Sequence, residues 1–382
     1  MKIHKLLVGC AKAFLLFGML ATISSCGVTR ALTFLKPDAR DYRLFPRRVI
    51  YHAGESFEFI RPEAPSHLGQ DIKIAHSNTE NNHPLDDFVH LFKTHALIII
   101  RNDSILYESY QPENYKEDVV TSFSVSKAIL STLVGIAIHE GYIQGVHQHI
   151  TDFLPEWKAR GGGYDSIQVI DLMQHTSGVY FVRSPWKLSG DQVQFYYGRN
   201  ISKRALDREL VTERGTRFNY NSANTQLLTL VLERATGQTL SGYLQEKIWE
   251  PLGMESDAFW SLDKKGKDAV ERAFCCLQAR AVDFAKIGRL WLHNGNWNGR
   301  QIFPETWLQE LFTSGMPTNR SYRSGFTLGP HQYGSFMATG LFGQMIYVDP
   351  GKNLVIVRFG GRDKDYSVNF WKDVMLQLSD AL

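Results

Sequence analysis

The chain has 382 residues, of which 43% are hydrophobic and 12% aromatic, a composition typical of a globular protein with a large core. Its 42 Lys and Arg residues nearly balance its 39 Asp and Glu residues, and the net charge is only +3. This balance excludes a dedicated nucleic-acid groove, which requires a clustered basic face, so we expect no nucleic-acid partner.

The chain begins with the pattern of an export leader. Three lysines among the first twelve residues precede an apolar stretch, Ala13 to Ile23, which is too short to span a bilayer as a mature helix. This order predicts a signal peptide over residues 1–25. The run Ile23-Ser24-Ser25-Cys26 also resembles a bacterial lipobox. We therefore expect lipidation of Cys26 and anchoring to a membrane of the bacterial cell envelope, on its periplasmic side or surface; a plain signal peptide with an incidental cysteine is the alternative.

Two cysteines remain beyond this leader, Cys275 and Cys276, and they are adjacent. Adjacent cysteines rarely bridge to each other, and the sequence has no Cys/His cluster with zinc spacing. We expect both thiols to be buried apolar groups, and we expect neither a metal nor another cofactor.

Residues 26–85 contain turn-forming segments such as Pro62-Glu63-Ala64-Pro65 and show little periodicity, so they predict an N-terminal linker before one domain over residues 86–382. Within that domain, His95 to Ile100 and Ser104 to Tyr110 are β-rich apolar runs joined by a short polar turn. This pattern predicts a β-hairpin.

Ser124 to Glu140 carries apolar residues at helical spacing and is followed by Gly141, so it predicts an amphipathic helix. From about 150 to 290 the patterns are mostly helical. The helices predicted there run from Leu227 to Ala235, from Leu240 to Glu250 and from Ala281 to His293.

The last ninety residues return to strands. Gln344–Val348 and Leu354–Phe359 predict a second hairpin, and Val368–Leu378 predicts a closing helix. The fold class that follows is α/β: an antiparallel sheet built from both termini, flanked by helices, with a mostly helical inserted region.

The pattern Ser-x-x-Lys occurs three times, at Ser124/Lys127, Ser184/Lys187 and Ser261/Lys264. Only Ser124 opens a predicted helix, where unpaired N–H groups favour developing negative charge and Lys127 lies one turn further on the same face. A serine hydroxyl needs such a nearby base to act as a nucleophile. The structural alternative is a helix cap beside a surface lysine.

Two further segments support the nucleophile. Tyr220-Asn221-Ser222 precedes the helix predicted to begin near Leu227, and Ala338-Thr339-Gly340 leads into a strand. The order and spacing of the three segments resemble the serine β-lactamase and penicillin-binding protein superfamily. They are most similar to its class C β-lactamase-like branch, and within it to the 6-aminohexanoate-dimer hydrolases and esterases. Asp171–Gly178 and Ile248–Met254 also resemble family segments, and the resemblance covers roughly residues 90–375.

This resemblance implies the β-lactamase/transpeptidase-like fold and a set of roles. Ser124 would be the acylated nucleophile, and Lys127 with Tyr220 would form the base. The backbone N–H groups of Ser124 and Leu341 would form the oxyanion hole. The substrate-binding residues implied are Ser222, Thr339 and Gly340. The partner would be a small-molecule or short peptide-like ester or amide substrate.

The chain departs from the penicillin-recognising enzymes at Ala338, where they have a lysine that engages the substrate carboxylate. An ester or amide hydrolase therefore fits better than an efficient β-lactamase. Two rivals stay open: a cell-wall D,D-peptidase or weak β-lactamase that uses Arg323 or Arg358 as its cation, and a non-catalytic binding lipoprotein with the same fold. His175 is expected to be structural. Six aromatic residues could line an acyl pocket or pack in the core: Tyr180, Phe181, Trp186, Phe195, Tyr196 and Tyr197.

Overall fold

The computed structural model describes residues 37–63, 67–75, 82–112, 116–184, 190–314, 321–330, 334–361 and 367–382. The predicted signal peptide and Cys26 lie outside the described residues. In the part of the chain that the structure describes, none of the helices is long and apolar enough to cross a membrane.

Seven antiparallel strands form the main sheet. In spatial order they are Tyr322–Arg323, Phe326–Leu328, Phe336–Thr339, Met345–Asp349, Leu354–Gly360, Thr94–Arg101 and Ser104–Tyr110. The C-terminal strand Leu354–Gly360 pairs with the N-terminal strand Thr94–Arg101, with Val357 opposite Ile98. The sheet is therefore built from both ends of the domain, as predicted.

Both predicted hairpins are present. Asn102 and Asp103 connect the first pair of strands with positive φ angles of 52° and 59°, which short polar residues tolerate better than others. Along Thr94–Arg101, alternate residues enter two different cores, Ile98 one and Leu97 the other. Since both faces of the sheet are covered, the strand is continuously apolar from Ala96 to Ile100.

A second sheet has four strands, in the order Arg47–Ile50, Ala258–Ser261, Leu277–Ala279 and Val120–Thr121. Two-stranded ribbons join Lys73–Ile74 to His83–Pro84 and Asn296–Trp297 to Arg300–Gln301.

The helices occupy both faces of the main sheet and the inserted region. The α-helices are Leu68–Asp71, Leu85–Leu91, Ser126–His139, Pro155–Lys158, Val169–Met173, Asp191–Tyr197, Ile201–Leu206, Ser222–Thr236, Leu240–Leu244, Ala281–Leu292, Trp307–Thr313 and Val368–Asp380. A π-helical turn, Gln245–Trp249, continues one of them. The 3₁₀ turns are Asp41–Leu44, Phe123–Val125, Ile150–Asp152, Tyr164–Ser166, Leu341–Gly343 and Pro350–Lys352.

The helix predicted from Ser124 to Glu140 differs from the structure in two ways. Its α-helical part begins at Ser126, and Ser124 lies in the preceding 3₁₀ turn. Every residue from Ser126 to Ala137 is buried, so the helix is not amphipathic. Its small residues let it pass between the sheet and the inserted region; Gly135, for example, lies directly against Trp307.

The segment predicted to be a linker, residues 26–85, packs on the domain wherever it is described. Arg47–Ile50 pairs with Ala258–Ser261, and Ile50 is fully buried. Phe45 and Phe59 also enter the core. The expectation of a free linker is wrong for this part, because the strand is only four residues long and two of them are arginines, which hid its β character.

The prediction that Cys275 and Cys276 do not bridge is also corrected, since the structure joins them in a disulfide. Both are buried, as expected. Their segment, directly after Phe274, lies beside the candidate site described below.

Candidate active site

Ser124 occupies a backbone turn that exposes its side chain. The preceding Phe123 has a φ of 43°, which is unusual for a bulky residue and typical of functional turns. From Val120 to Ala137 Ser124 alone retains partial exposure. The turn therefore presents one hydroxyl at the surface of an otherwise buried segment.

Lys127 lies directly beneath this hydroxyl. Its Nζ is 3.1 Å from Ser124 Oγ and donates a second hydrogen bond of 2.6 Å to the carbonyl oxygen of Phe274. The side chain is buried, and this burial lowers the pKa of the Lys127 ammonium. A lysine with a lowered pKa can exchange a proton with a neighbouring hydroxyl near neutral pH.

Hydrogen bonds hold the backbone around the carbonyl that Lys127 binds. Ser126 Oγ donates a hydrogen bond of 2.9 Å to the Ala273 carbonyl, next to the Phe274 carbonyl that receives Lys127. Trp260 Nε1 donates to the carbonyl of Cys275 at 2.9 Å. These bonds fix the carbonyl that orients the ammonium.

Tyr220 completes the constellation. Lys127 Nζ is 4.9 Å from the centroid of the Tyr220 ring, and the side chains of Ser124 and Lys127 are close enough to the phenol for their hydrogen-bonding groups to lower its pKa. Burial raises the pKa of Tyr220, but the Lys127 charge, these hydrogen bonds and the charge of Arg183 outweigh it, and the pKa is lowered overall. The pKa values of Lys127 and Tyr220 are thus both lowered, and because each group acts on the other the two titrate as one coupled pair.

The rings of His175 and Tyr322 pack beside Tyr220. No single sequence motif marks these two residues together as part of the site. The His175 ring is 4.6 Å from Tyr220, and the Tyr322 ring is 5.4 Å from His175 and 5.6 Å from Tyr220. Burial lowers the pKa of His175 well below its ordinary value, so its imidazole is neutral. His175 therefore acts as an apolar support for the phenol, the structural role expected of it.

Arg183 also faces this tyrosine, and sequence reasoning missed it. Its Cζ is 5.0 Å from the Tyr220 ring centroid, and its side chain is exposed. Arg183 lies in a loop next to residues 185–189, and no local sequence pattern connects it to Tyr220 some forty residues later.

The third predicted segment reaches the nucleophile through Gly340. A Cβ atom at this position would lie 2.7 Å from the Ser122 carbonyl oxygen and 3.2 Å from the Ser124 nitrogen, so only glycine allows this approach. Thr339 ends the neighbouring strand, and Leu341 begins the next 3₁₀ turn. Leu341 is thus the residue directly after Gly340, whose backbone lies against that of Ser124.

Ser222, predicted to bind the substrate, has a hydrogen-bond partner within the protein. Ser222 is the first residue of the Ser222–Thr236 helix, is buried, and donates a 3.3 Å hydrogen bond to Gln192 Oε1. That helix starts five residues earlier than predicted because Asn221 caps it, accepting a 2.7 Å hydrogen bond from the Asn224 amide. The cap also fixes the backbone next to Tyr220.

One of the other two Ser-x-x-Lys matches has ordinary structural partners. Ser261 is buried in a strand and donates to Gln278, while Lys264 donates to Asn200 Oδ1 at 2.9 Å. Ser261 and Lys264 therefore lack the contact that joins Ser124 and Lys127. Lys187, of the remaining match, lies outside the described residues.

Both arginines proposed from the sequence as substitute cations bind backbone carbonyls. Arg358 is buried and donates to the carbonyls of Phe342, Gly343 and Phe92. Arg323 donates to the carbonyls of Phe312 and Tyr322. Arg358 therefore supports the turn that follows Gly340.

The aromatic cluster divides between the core and the surface. Phe181, Phe195, Tyr196 and Tyr197 are buried, whereas Tyr180 is exposed. Both Tyr196 and Tyr197 donate to Asp41. Trp186 lies outside the described residues. Within the described ranges, no cluster of His, Cys, Asp and Glu could hold a metal ion.

Comparisons with known proteins agree with this geometry. The profile of the family described as Beta-lactamase matches residues 92–368. A 6-aminohexanoate-dimer hydrolase from Paenarthrobacter ureafaciens is 26% identical over 315 residues, covering 76% of this chain and 79% of the relative. Esterase EstB from Burkholderia gladioli is 27% identical over 190 residues, covering 44% and 47%.

Solved structures share the fold. A Bacillus anthracis protein, provisionally assigned as a 6-aminohexanoate-dimer hydrolase, superimposes with a TM-score of 0.78 at 21% identity. The superposition covers 90% of this chain and 92% of that one. At this level of sequence identity, the similarity shows that the two proteins share a fold.

Proposed function

Because the chain belongs to the Beta-lactamase family of serine hydrolases, we propose that it cleaves a linear amide or ester bond through an acyl-enzyme on Ser124. The family membership confirms the resemblance predicted from the three motifs. The observation that carries the proposal is the 3.1 Å contact between Lys127 Nζ and Ser124 Oγ, with the Tyr220 ring centroid 4.9 Å from the same Nζ.

Acylation starts when Ser124 Oγ attacks the substrate carbonyl carbon. The pair of Lys127 and Tyr220 accepts the serine proton, and the carbonyl oxygen becomes an oxyanion held by the N–H groups of Ser124 and Leu341. The same pair then gives its proton to the departing amine or alcohol, the bond to that group breaks, and the acyl-enzyme remains.

Deacylation repeats the steps with water as the nucleophile. The pair takes a proton from water, the hydroxide attacks the ester carbon, and the proton returns to Ser124 Oγ as the acid is released. Lys127 and Tyr220 act as one coupled unit, because the pKa of each depends on the charge of the other.

Linear substrates are favoured over β-lactams by the third segment. Ala338 is fully buried and offers no cation, and the relatives with the longest matches include a hydrolase named for a 6-aminohexanoate dimer, which is a linear amide. Thr339 and Gly340 would lie along the bound substrate.

Active-site labelling tests the nucleophile. A fluorophosphonate probe should form an adduct on the Ser124 peptide of the purified protein, and Ser124→Ala should abolish both the adduct and hydrolysis of a p-nitrophenyl ester. Ser184→Ala and Ser261→Ala, which alter the other two Ser-x-x-Lys serines, are the matched controls and should react normally. An unlabelled Ser124 peptide with no ester turnover refutes the proposal in favour of a binding protein, while rapid turnover of a chromogenic cephalosporin refutes the preference for linear substrates.

We also propose that the protein is exported and held in the cell envelope by a lipid on Cys26. The leader and the lipobox-like run support this proposal. Labelled palmitate should enter the wild-type chain but not Cys26→Ser, and Cys10→Ser is the control that should keep the label. Equal labelling of wild type and Cys26→Ser would contradict the anchor.

A further inference from the structure

Arg183 is a cation at the mouth of the site without an acidic partner among the described residues. Two other arginines of this region do form ion pairs, Arg208 with Asp191 and Arg214 with Asp171. Arg183 instead places its exposed guanidinium 5.0 Å from the Tyr220 ring centroid. An unpaired guanidinium in this position is available to a ligand.

The backbone around Arg183 is held in place. Tyr180 donates a 2.8 Å hydrogen bond to the Glu209 carbonyl, and the Val182 amide donates a 2.8 Å hydrogen bond to Asp191 Oδ2. Val179 forms a β-bridge with Leu210. These bonds fix the backbone of the segment that carries Arg183, as the recognition of a ligand requires.

Charges around the site are positive on both sides of Tyr220. Lys127 Nζ is 4.9 Å from the ring centroid and Arg183 Cζ is 5.0 Å from it. The charged groups that act on the Tyr220 phenol among the described residues are these two cations, with no carboxylate. Residues 185–189, which follow Arg183 in the sequence, contain no Asp or Glu. A negatively charged group of the substrate would compensate the positive charges of Lys127 and Arg183.

We propose that Arg183 binds a carboxylate carried by the substrate, so that the preferred substrates are linear amides or esters with a free carboxylate beyond the scissile bond. This inference rests on the proposed function and names its substrate class. A guanidinium recognises a carboxylate through two parallel N–H···O bonds, which fix orientation as well as charge. Arg183 would thus supply, from the loop that contacts Tyr220, the cation that is absent at Ala338.

Paired substrates test the proposal. Mono-p-nitrophenyl esters of adipic and suberic acid are compared with the corresponding methyl-capped diesters, at a pH where the activity no longer changes. Wild type should prefer the free acids, and Arg183→Gln should reduce this preference in kcat/KM by on the order of 10- to 100-fold, the range for losing a hydrogen bond to a charged group. Arg183→Lys should retain part of the preference, and Arg183→Glu should favour substrates with a terminal amine.

Arg160→Gln is the matched control, since Arg160 lies 5.3 Å from the Tyr164 ring in the same kind of stacked contact. It should leave the preference intact. Equal losses for free-acid and capped substrates in Arg183→Gln, or a wild type that turns over both alike, would overturn the proposal while the hydrolase activity stands. Failure of the proposed function is distinct, because neither ester would then be hydrolysed and Ser124 would not be labelled.

Discussion

The rings of Phe123 and Phe342 meet edge to face with their centroids 5.3 Å apart, and both residues have positive φ angles, 43° and 65°. Phe123 directly precedes Ser124, and Phe342 directly follows Leu341. The ring contact therefore links the two turns whose N–H groups would form the oxyanion hole. Backbone strain at two bulky residues persists only where surrounding contacts hold it, and this contact is one of them.

Removing the ring of Phe342 should therefore lower kcat by more than the accompanying loss of stability explains. We expect Phe342→Ala to lower kcat for a p-nitrophenyl ester by about tenfold or more, because a displaced oxyanion donor is costly. Phe57→Ala is the control, since Phe57 is also partly buried and meets Phe59 edge to face at 5.3 Å. Both variants should lower the melting temperature, and a kcat loss shared by both would contradict a special role for Phe342.

The Tyr220 hydroxyl can be tested without disturbing its ring contacts. Tyr220→Phe keeps the ring beside His175 but removes the oxygen that exchanges protons, and we expect kcat to fall by roughly 100- to 10,000-fold. Tyr243→Phe is the matched control, because its buried hydroxyl donates to Glu140 Oε2 at 2.9 Å away from the site. Steady-state kinetics should show normal kcat for Tyr243→Phe, and near-normal kcat for Tyr220→Phe would eliminate the phenol from the base.

The central hairpins were predictable from local signals, because Asn102 and Asp103 favour positive φ between two apolar runs. Spacing alone did not single out Ser124 and Lys127, since Ser-x-x-Lys occurs three times in the sequence. The helix predicted at Ser124 and the resemblance to a known family selected this pair, and the resemblance added Tyr220.

Residues that depend on distant partners were missed. The strand Arg47–Ile50 is stabilised by Ala258–Ser261, more than two hundred residues later, so no local pattern reveals it. Tyr322, in a short strand at the edge of the main sheet, and Arg183, in a loop, contact Tyr220 from separate segments and were missed for the same reason. The start of the Ser222 helix had a local signal, the capping Asn221, which was interpreted as part of a loop motif.

The pH dependence of hydrolysis should respond to Arg183. Burial lowers the pKa of Lys127, and the charge of Arg183 lowers it further and also lowers the pKa of Tyr220. The base must be unprotonated to accept the serine proton, so activity falls as pH drops through the pKa of the pair. Arg183→Gln removes one lowering influence, so the acidic limb of kcat/KM for an uncharged ester should move to higher pH. Arg160→Gln should leave the limb in place, and an unmoved limb in Arg183→Gln would show that its charge does not reach the base.

Gly325 makes a close backbone contact with the segment that carries Lys127. Its φ is 100°, and a Cβ atom there would lie 2.7 Å from both the Lys127 carbonyl carbon and the Ala128 nitrogen. We expect Gly325→Ala to destabilise the fold and to lower kcat, because the helix must shift and Lys127 must move with it. Gly266→Ala isolates the contact: Gly266 has a similar φ of 109° but nothing within 4 Å of a Cβ atom.

The Gly266 variant should therefore show the backbone cost alone, about 1–3 kcal/mol in the free energy of unfolding, with normal kcat. Denaturant unfolding and steady-state kinetics on the two variants separate strain from packing. If Gly325→Ala loses no more stability than Gly266→Ala and keeps its kcat, then the turn does not position Lys127. A larger loss of both in Gly325→Ala means that the site depends on two backbones in contact, an arrangement that glycine alone permits at this position.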